Sequence, residues 1–171
     1  GTKTVCQGTT LSLNAEFSNT ATPVSYAWSG PSVTGSSANL SVPNIQLANA
    51  GLYTLTVTIN GCPYVRTDSV KVIPAPSAIA SVITPICVGD SVILTSSGGT
   101  GYSWDGPNSF NSTVQNPILA TSVLADGGVY TVTVTGSNGC TSTAATTLVV
   151  NGRPASTASS NSPICENGTL N

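Results

Sequence analysis

The chain has 171 residues, of which 6% are charged, with four Lys/Arg against six Asp/Glu and no His. Four scattered cations cannot form the basic stripe that neutralises phosphates, so nucleic-acid binding is not expected. An apolar share of 39%, much of it Val, Leu and Ile alternating with Thr and Ser, argues a folded chain over a disordered one.

The alternation has period two along the chain. Leu11, Leu13, Ala15 and Phe17 alternate with Ser12, Asn14 and Glu16, which predicts a strand over 10–17 with one buried face. Further strands are expected around Trp28, over 39–45, and along Tyr53, Leu55, Val57 and Ile59, whose outward partners are Thr54, Thr56 and Thr58. β-Branched Thr suits a wet pleated face. Asn60-Gly61 then signals a hairpin. The pattern resumes with strands over 77–83 and 91–97, around Trp104, over 113–119, and along Tyr130, Val132 and Val134, before Asn138-Gly139. No segment shows a helical stripe. No apolar run is long enough to insert in a membrane, and no signal peptide is seen, so any export signal is expected outside this stretch.

The same words recur. TVCQGTTLSL (4–13) parallels PICVGDSVIL (85–94), and PICENGTLN (163–171) opens the phrase a third time; YAWSGP (26–31) parallels YSWDGP (102–107), and GLYTLTVTINGC (51–62) parallels GVYTVTVTGSNGC (128–140). The reading is a tandem repeat, with units at 1–74, 75–152 and the start of a third at 153–171. Strand A of the first unit is expected to be largely missing. The junctions IPAPSA (73–78) and NGRPAS (151–156) are short and carry Pro, which favours a stiff connection.

Seven or so short strands per unit, with turns every eight to twelve residues, argue an all-β sandwich. The segments Asn49-Ala50-Gly51-Leu52-Tyr53 and Asp126-Gly127-Gly128-Val129-Tyr130 resemble the Asp-x-Gly-x-Tyr corner of immunoglobulin-like domains. That resemblance implies Tyr53 and Tyr130 as corner tyrosines tied to nearby backbone, and Trp28 and Trp104 as strand C core residues. One departure is clear: the second core cysteine of a true immunoglobulin domain would fall at Leu55 and Val132. The whole phrase also resembles tandem Ig-like or PKD-like repeats of large Bacteroidota surface adhesins, though Trp104-Asp105-Gly106-Pro107 stands where PKD domains carry WDFGDG. Such repeats occur in type IX secreted proteins, some tied to gliding motility or attachment.

The five cysteines lack CxxC spacing and His partners, so zinc is not expected, and they read as disulfides of an exported protein. Two pairings stay open. One is intradomain, Cys6–Cys62 and Cys87–Cys140. The cysteines of each such pair precede strand B and follow the F–G turn, which lie at opposite poles. A seven-residue strand spans roughly 23 Å, whereas a disulfide needs Cα atoms within about 7 Å. In a head-to-tail array the bottom of one unit meets the top of the next, which favours an interdomain staple, Cys6–Cys140. Cys62 would then pair with a preceding unit, and Cys87 and Cys165 with following ones.

Little here can do chemistry. The carboxylates Glu16, Asp68, Asp90, Asp105, Asp126 and Glu166 form no close pair, and no Ser or Thr sits beside a plausible base, so neither an enzyme nor a cofactor is expected. Asp90 and Asp126 could share the lower pole of the second unit as a calcium site. The first unit has Thr9 and Asn49 there, which favours a plain corner cap and no metal. Asp68-Ser69-Val70 and Asp90-Ser91-Val92 resemble the acceptor of Bacteroidota O-glycosylation at Ser69 and Ser91; the alternative is an ordinary strand with Ser outward. The i, i+2 pairs Tyr26/Trp28 and Tyr102/Trp104 share a face, suiting a carbohydrate platform or, preferably, the core. Phe110 is expected to be exposed.

The reading is a non-enzymatic stalk or filament segment of an extracellular, cell-surface bacterial adhesin, partnered by neighbouring repeats. The alternatives are a module binding a glycan or protein through its loops, or accessory domains of a secreted enzyme.

Overall fold

The computed structural model describes residues 1–16 and 24–158. Phe17, Cys165, Glu166 and the third unit beyond 158 lie outside the described residues. Two β-sandwiches follow each other along the chain, each around its own core.

The first contains β1 (Thr2–Cys6), β2 (Leu11–Asn14), β3 (Val24–Gly30), β4 (Val33–Gly35), β5 (Asn39–Val42), β6 (Gly51–Ile59) and β7 (Cys62–Ile73). One sheet has the order β1-β7-β6-β3-β4 and the other is β2-β5. β1 runs parallel to the end of β7, Thr2 opposite Ser69 and Cys6 opposite Ile73. The Leu/Val stripes read from the sequence fill the space between the sheets: Leu11, Leu13, Trp28, Leu40, Val42, Tyr53, Leu55, Val57, Ile59, Val70 and Val72 are buried. Ile45 joins them from the loop after β5.

The second contains β8 (Ile79–Val82), β9 (Ile86–Cys87), β10 (Val92–Ser97), β11 (Gly101–Asp105), β12 (Asn111–Ser112), β13 (Ile118–Leu119), β14 (Gly128–Thr135), β15 (Thr141–Leu148) and β16 (Val150–Asn151). Its sheets run β13-β10-β8 and β12-β11-β14-β15, with β16 paired in parallel to β9. Here the counterpart of strand A is present as β8, antiparallel to β10, with Ala80 and Val82 packed on the core.

Three expectations need correction. The strand expected over 113–119 shrinks to Ile118–Leu119. Gln115 and Asn116 take the place of ladder bonds: Ser96 N–H donates to Asn116 Oδ1 (2.9 Å), and Gln115 Nε2 donates to Ser96 O (2.8 Å). Pro117 follows: it has no N–H to give the ladder, and only its carbonyl takes part, accepting Leu94 N–H (3.0 Å). The two Asn-Gly turns also differ. Asn60 and Gly61 both have positive φ (49° and 81°) in a two-residue loop, the type I′ pattern. In the second unit only Gly139 does (80°). The loop there spans residues 136–140, closed by Gly139 N–H to Gly136 O (3.0 Å) and Cys140 N–H to Asn138 Oδ1 (3.0 Å). The third correction is Phe110: it is half-buried and stands edge-on to Tyr130, with ring centroids 5.3 Å apart at 71°, a favourable aromatic geometry.

Candidate functional site

The most distinctive chemistry lies at the joint. Cys6 ends β1 and Cys140 closes the loop between β14 and β15. The two form a disulfide with Cα atoms 5.6 Å apart, bridging 134 residues of sequence. Cys140 is buried. Polar contacts surround the bond. Asn138 Nδ2 donates to Pro74 O (3.0 Å), and Ser142 Oγ donates to Pro76 O, so the second unit grips the proline junction by its carbonyls. Proline has no N–H to donate, but its carbonyl accepts like any other. Gly98 lets the loop after β10 approach the same junction: its φ is +110°, and a Cβ there would stand 2.0 Å from Ser77 O. The intradomain alternative is not what the structure contains. Cys62 and Cys87 are free and exposed.

Each unit carries the same interlock. Tyr53 Oη donates to Asn49 O (3.0 Å) and Tyr130 Oη to Asp126 O (2.8 Å). The corner itself is a 3-10 turn, Leu47–Asn49 and Leu124–Asp126. Asn49 Oδ1 accepts Gln46 N–H (2.8 Å) in the first, and Asp126 Oδ2 accepts Val123 N–H (2.8 Å) in the second. Burial pushes the Tyr53 phenol above its ordinary range; burial and then the Asp126 carboxylate do the same to Tyr130.

The recurrent Gly-Pro after each Trp completes this interlock, a role the sequence reading missed. A Cβ on Gly30 or Gly106 would lie 2.4 Å from the ring of Tyr53 or Tyr130. Pro31 and Pro107 in turn lie against Gly51 and Gly128, 2.8 and 2.7 Å from where their Cβ would be. Each Trp-x-Gly-Pro therefore fits its own Gly-x-Tyr, and the pairing of the two phrases in both units was the available signal. Trp28 and Trp104 are buried, with Nε1 donating to Ser37 O (3.0 Å) and Gln115 O (3.1 Å). Tyr26 and Tyr102 are half-buried against the same cores, so neither pair forms an exposed platform.

The carboxylates are dispersed. Asp90 pairs with Arg153 (2.9 Å), while Asp126 is buried and also accepts from Asn108 Nδ2 (3.0 Å). Asp68 Oδ1 accepts the N–H of its neighbour Ser69 (3.2 Å). Glu16 and Asp105 are exposed. Among the described residues no group of three His, Cys, Asp or Glu is placed to hold a metal ion, and no helix is long and apolar enough to cross a membrane. Ser91 is exposed just before β10, whereas Ser69 is half-buried within β7.

No protein-family model and no curated protein matches the chain. Among solved structures, it is similar to the amphioxus IgVJ-C2 molecule (13% identity, TM-score 0.40, covering 85% of this chain and 99% of that one). It is also similar to the titin domains z1z2 in complex with telethonin (18%, 0.39, 90% and 94%). A third is the bacteriophage RB49 outer capsid protein Hoc (22%, 0.37, 84% and 55%). At these scores the fold rests on the strand order and the tyrosine corners. Those define tandem immunoglobulin-like β-sandwiches, here joined by a disulfide that crosses from one to the next.

Proposed function

We propose that this chain is a non-enzymatic structural segment, stalk or filament, of an extracellular bacterial surface adhesin. Its repeats would run over 1–74, 75–152 and from 153 onward. The observation that carries the reading is the Cys6–Cys140 bond. A bond inside a sandwich would stabilise that sandwich alone. One across a joint fixes the angle between neighbours, which is useful to a spacer that must hold its length. The array then gains stiffness from interface terms between neighbours. Persistent disulfides fit an oxidising compartment outside the cell.

Cys62 and Cys87 fit the same scheme. Cys62 matches Cys140, Cys87 matches Cys6, and both are exposed. Each is read as half of a staple to a further repeat. Ser91 is the better placed of the two candidate glycosylation sites, because Ser69 sits within the ladder, opposite Thr2 and Leu52.

The test compares the purified chain with a Cys6→Ser/Cys140→Ser variant by small-angle scattering, alongside a glycan array. The spacer reading expects one extended shape for the parent chain, a broader distribution for the variant, and no specific glycan. A specific glycan ligand, or indistinguishable scattering from the two proteins, overturns it in favour of a binding module.

A further inference from the structure

Asn-Gly occurs in the β6–β7 loop at 60–61 and in the β14–β15 loop at 138–139. In this dipeptide the Asn carboxamide is open to attack by the next backbone nitrogen, because Gly puts no side chain beside that nitrogen and Asn is a thermally labile residue. The two copies are held differently. Asn60 is exposed, and no side-chain hydrogen bond holds it among the described residues. Asn138 is exposed as well, yet both ends of its carboxamide are taken. Nδ2 donates to Pro74 O (3.0 Å), and Oδ1 accepts Cys140 N–H (3.0 Å). The nitrogen that would attack is taken too, since Gly139 N–H donates to Gly136 O (3.0 Å). The carboxamide folds back over Gly136, where a Cβ would stand 2.9 Å from Oδ1.

Two of these three bonds end on the joint. Pro74 belongs to the junction between the units, and Cys140 is tied to Cys6 at the end of β1. The bonds also bear directly on the chemistry. For Gly139 N to reach Asn138 Cγ, it must give up its proton to solvent and approach the face of the carboxamide. The first requires the bond to Gly136 O to break. The second requires the carboxamide to rotate away from Pro74 O and from Cys140 N–H. The reaction therefore waits for the loop to open locally, and the joint sets how often it does.

We propose that Asn138 is a self-modification site gated by the joint: shielded while Cys6 and Cys140 are linked, and converted to Asp or isoaspartate once the loop is released. In the first step Gly139 N bonds to Asn138 Cγ and the Cγ–Nδ2 bond breaks. Nδ2 leaves as ammonia, its third proton balancing the one lost from Gly139 N–H. The five-membered imide then takes up one water. Attack at Cγ gives Asp; attack at the backbone carbonyl carbon gives isoaspartate, which carries an extra methylene in the chain. Either product lacks the donor that grips Pro74 O and adds a negative charge to the loop. Reduction of the disulfide is reversible, but this step is not. The two together form a one-way latch, in which a joint left open loses a bond that would help to close it. The inference rests on the geometry of the joint, and the stalk reading neither carries it nor falls with it.

The experiment uses the whole chain with Cys62→Ser, Cys87→Ser and Cys165→Ser, in which Cys6–Cys140 is the one disulfide that can form, and the same chain with Cys6→Ser/Cys140→Ser added. Both are incubated in mildly alkaline buffer, and conversion at each Asn-Gly is followed by mass spectrometry of the digested chain. A synthetic peptide of residues 134–142, with Ser in place of Cys140, gives the unshielded rate, and Asn60 in each chain is the internal reference. Asn138 of the stapled chain is expected to convert at least about tenfold more slowly than the peptide. Removing the staple is expected to raise the Asn138 rate severalfold and leave Asn60 unchanged. A stapled-chain rate equal to that of the peptide, an Asn138 rate unmoved by removing the staple, or an equal rise at Asn60 overturns the gating. The latch is read separately, with both cysteines present, in Asn138→Asp: after reduction, reoxidation should restore the Cys6–Cys140 link more slowly than in the parent. Equal recovery overturns the latch.

Discussion

The two sandwiches carry nearly the same phrases, yet they are completed differently. At the corner they agree: both tyrosines are fully buried, both hydroxyls bond the residue four positions back, and both glycines before Pro leave the ring its space. At the edge they disagree, because β8 covers the second core while β2 of the first has one partner among the described residues. The corner is self-sufficient, built from residues within one unit. The edge of the second is closed by β8 (Ile79–Val82), which lies within its own unit of 75–152.

The largest expected effect tests that difference directly. Leu94→Ala empties a fully buried site on β10, which has strands on both sides, whereas Leu13→Ala empties one on β2, which has one partner among the described residues. Large-to-small core changes cost about 2–5 kcal/mol, and Leu94→Ala should fall near the top of that range with Leu13→Ala near the bottom. Denaturant unfolding, with amide exchange read separately in β6 and β14, checks the order; equal costs would break the comparison. Next, Cys6→Ser/Cys140→Ser should cost about 2–4 kcal/mol, with β1 losing exchange protection before β6 does. Gly30→Ala and Gly106→Ala should each cost about 1–3 kcal/mol by overpacking, and here the two units should match, since the corner is the shared part.

Tyr53→Phe and Tyr130→Phe remove one hydrogen bond each, worth about 1 kcal/mol. They also bear on pH. Both phenols have raised folded-state values, so their contribution is fully present below the unfolded value of about 10 and is lost as pH rises through the folded values. Melting temperature should therefore hold to about pH 10 and fall beyond it, with a shallower fall in the Tyr→Phe variants. The smallest effect belongs to Arg153→Ala. Its pair with Asp90 is exposed at both ends, so the loss should stay within about 1 kcal/mol and shrink with salt.

Much of this fold is legible because period-two stripes and repeated phrases are local signals. Tyr53, Tyr130, Trp28 and Trp104 could be placed from neighbours a few residues away. The joint was legible only in part: strand direction puts Cys6 and Cys62 at opposite poles and so favours Cys140, the partner found here, without excluding the intradomain pairs. What escaped was set by side chains acting out of pattern. Gln115 and Asn116 read as strand residues but bond Ser96 in place of a strand. Phe110 read as surface because its counterpart position holds a smaller Val33, yet it stands on Tyr130. Gly30 and Gly106 stand in the repeated phrase without a role that the sequence assigns, and only the Tyr ring lying against them reveals their purpose.

The central claim is that the joint, and not the sandwich interior, carries the disulfide. Digestion of the oxidised chain under non-reducing conditions, followed by mass spectrometry of the linked peptides, tests it most directly. The account predicts a Cys6–Cys140 linked pair, with Cys62 and Cys87 recovered as alkylated thiols. A Cys6–Cys62 pair together with a Cys87–Cys140 pair would contradict it.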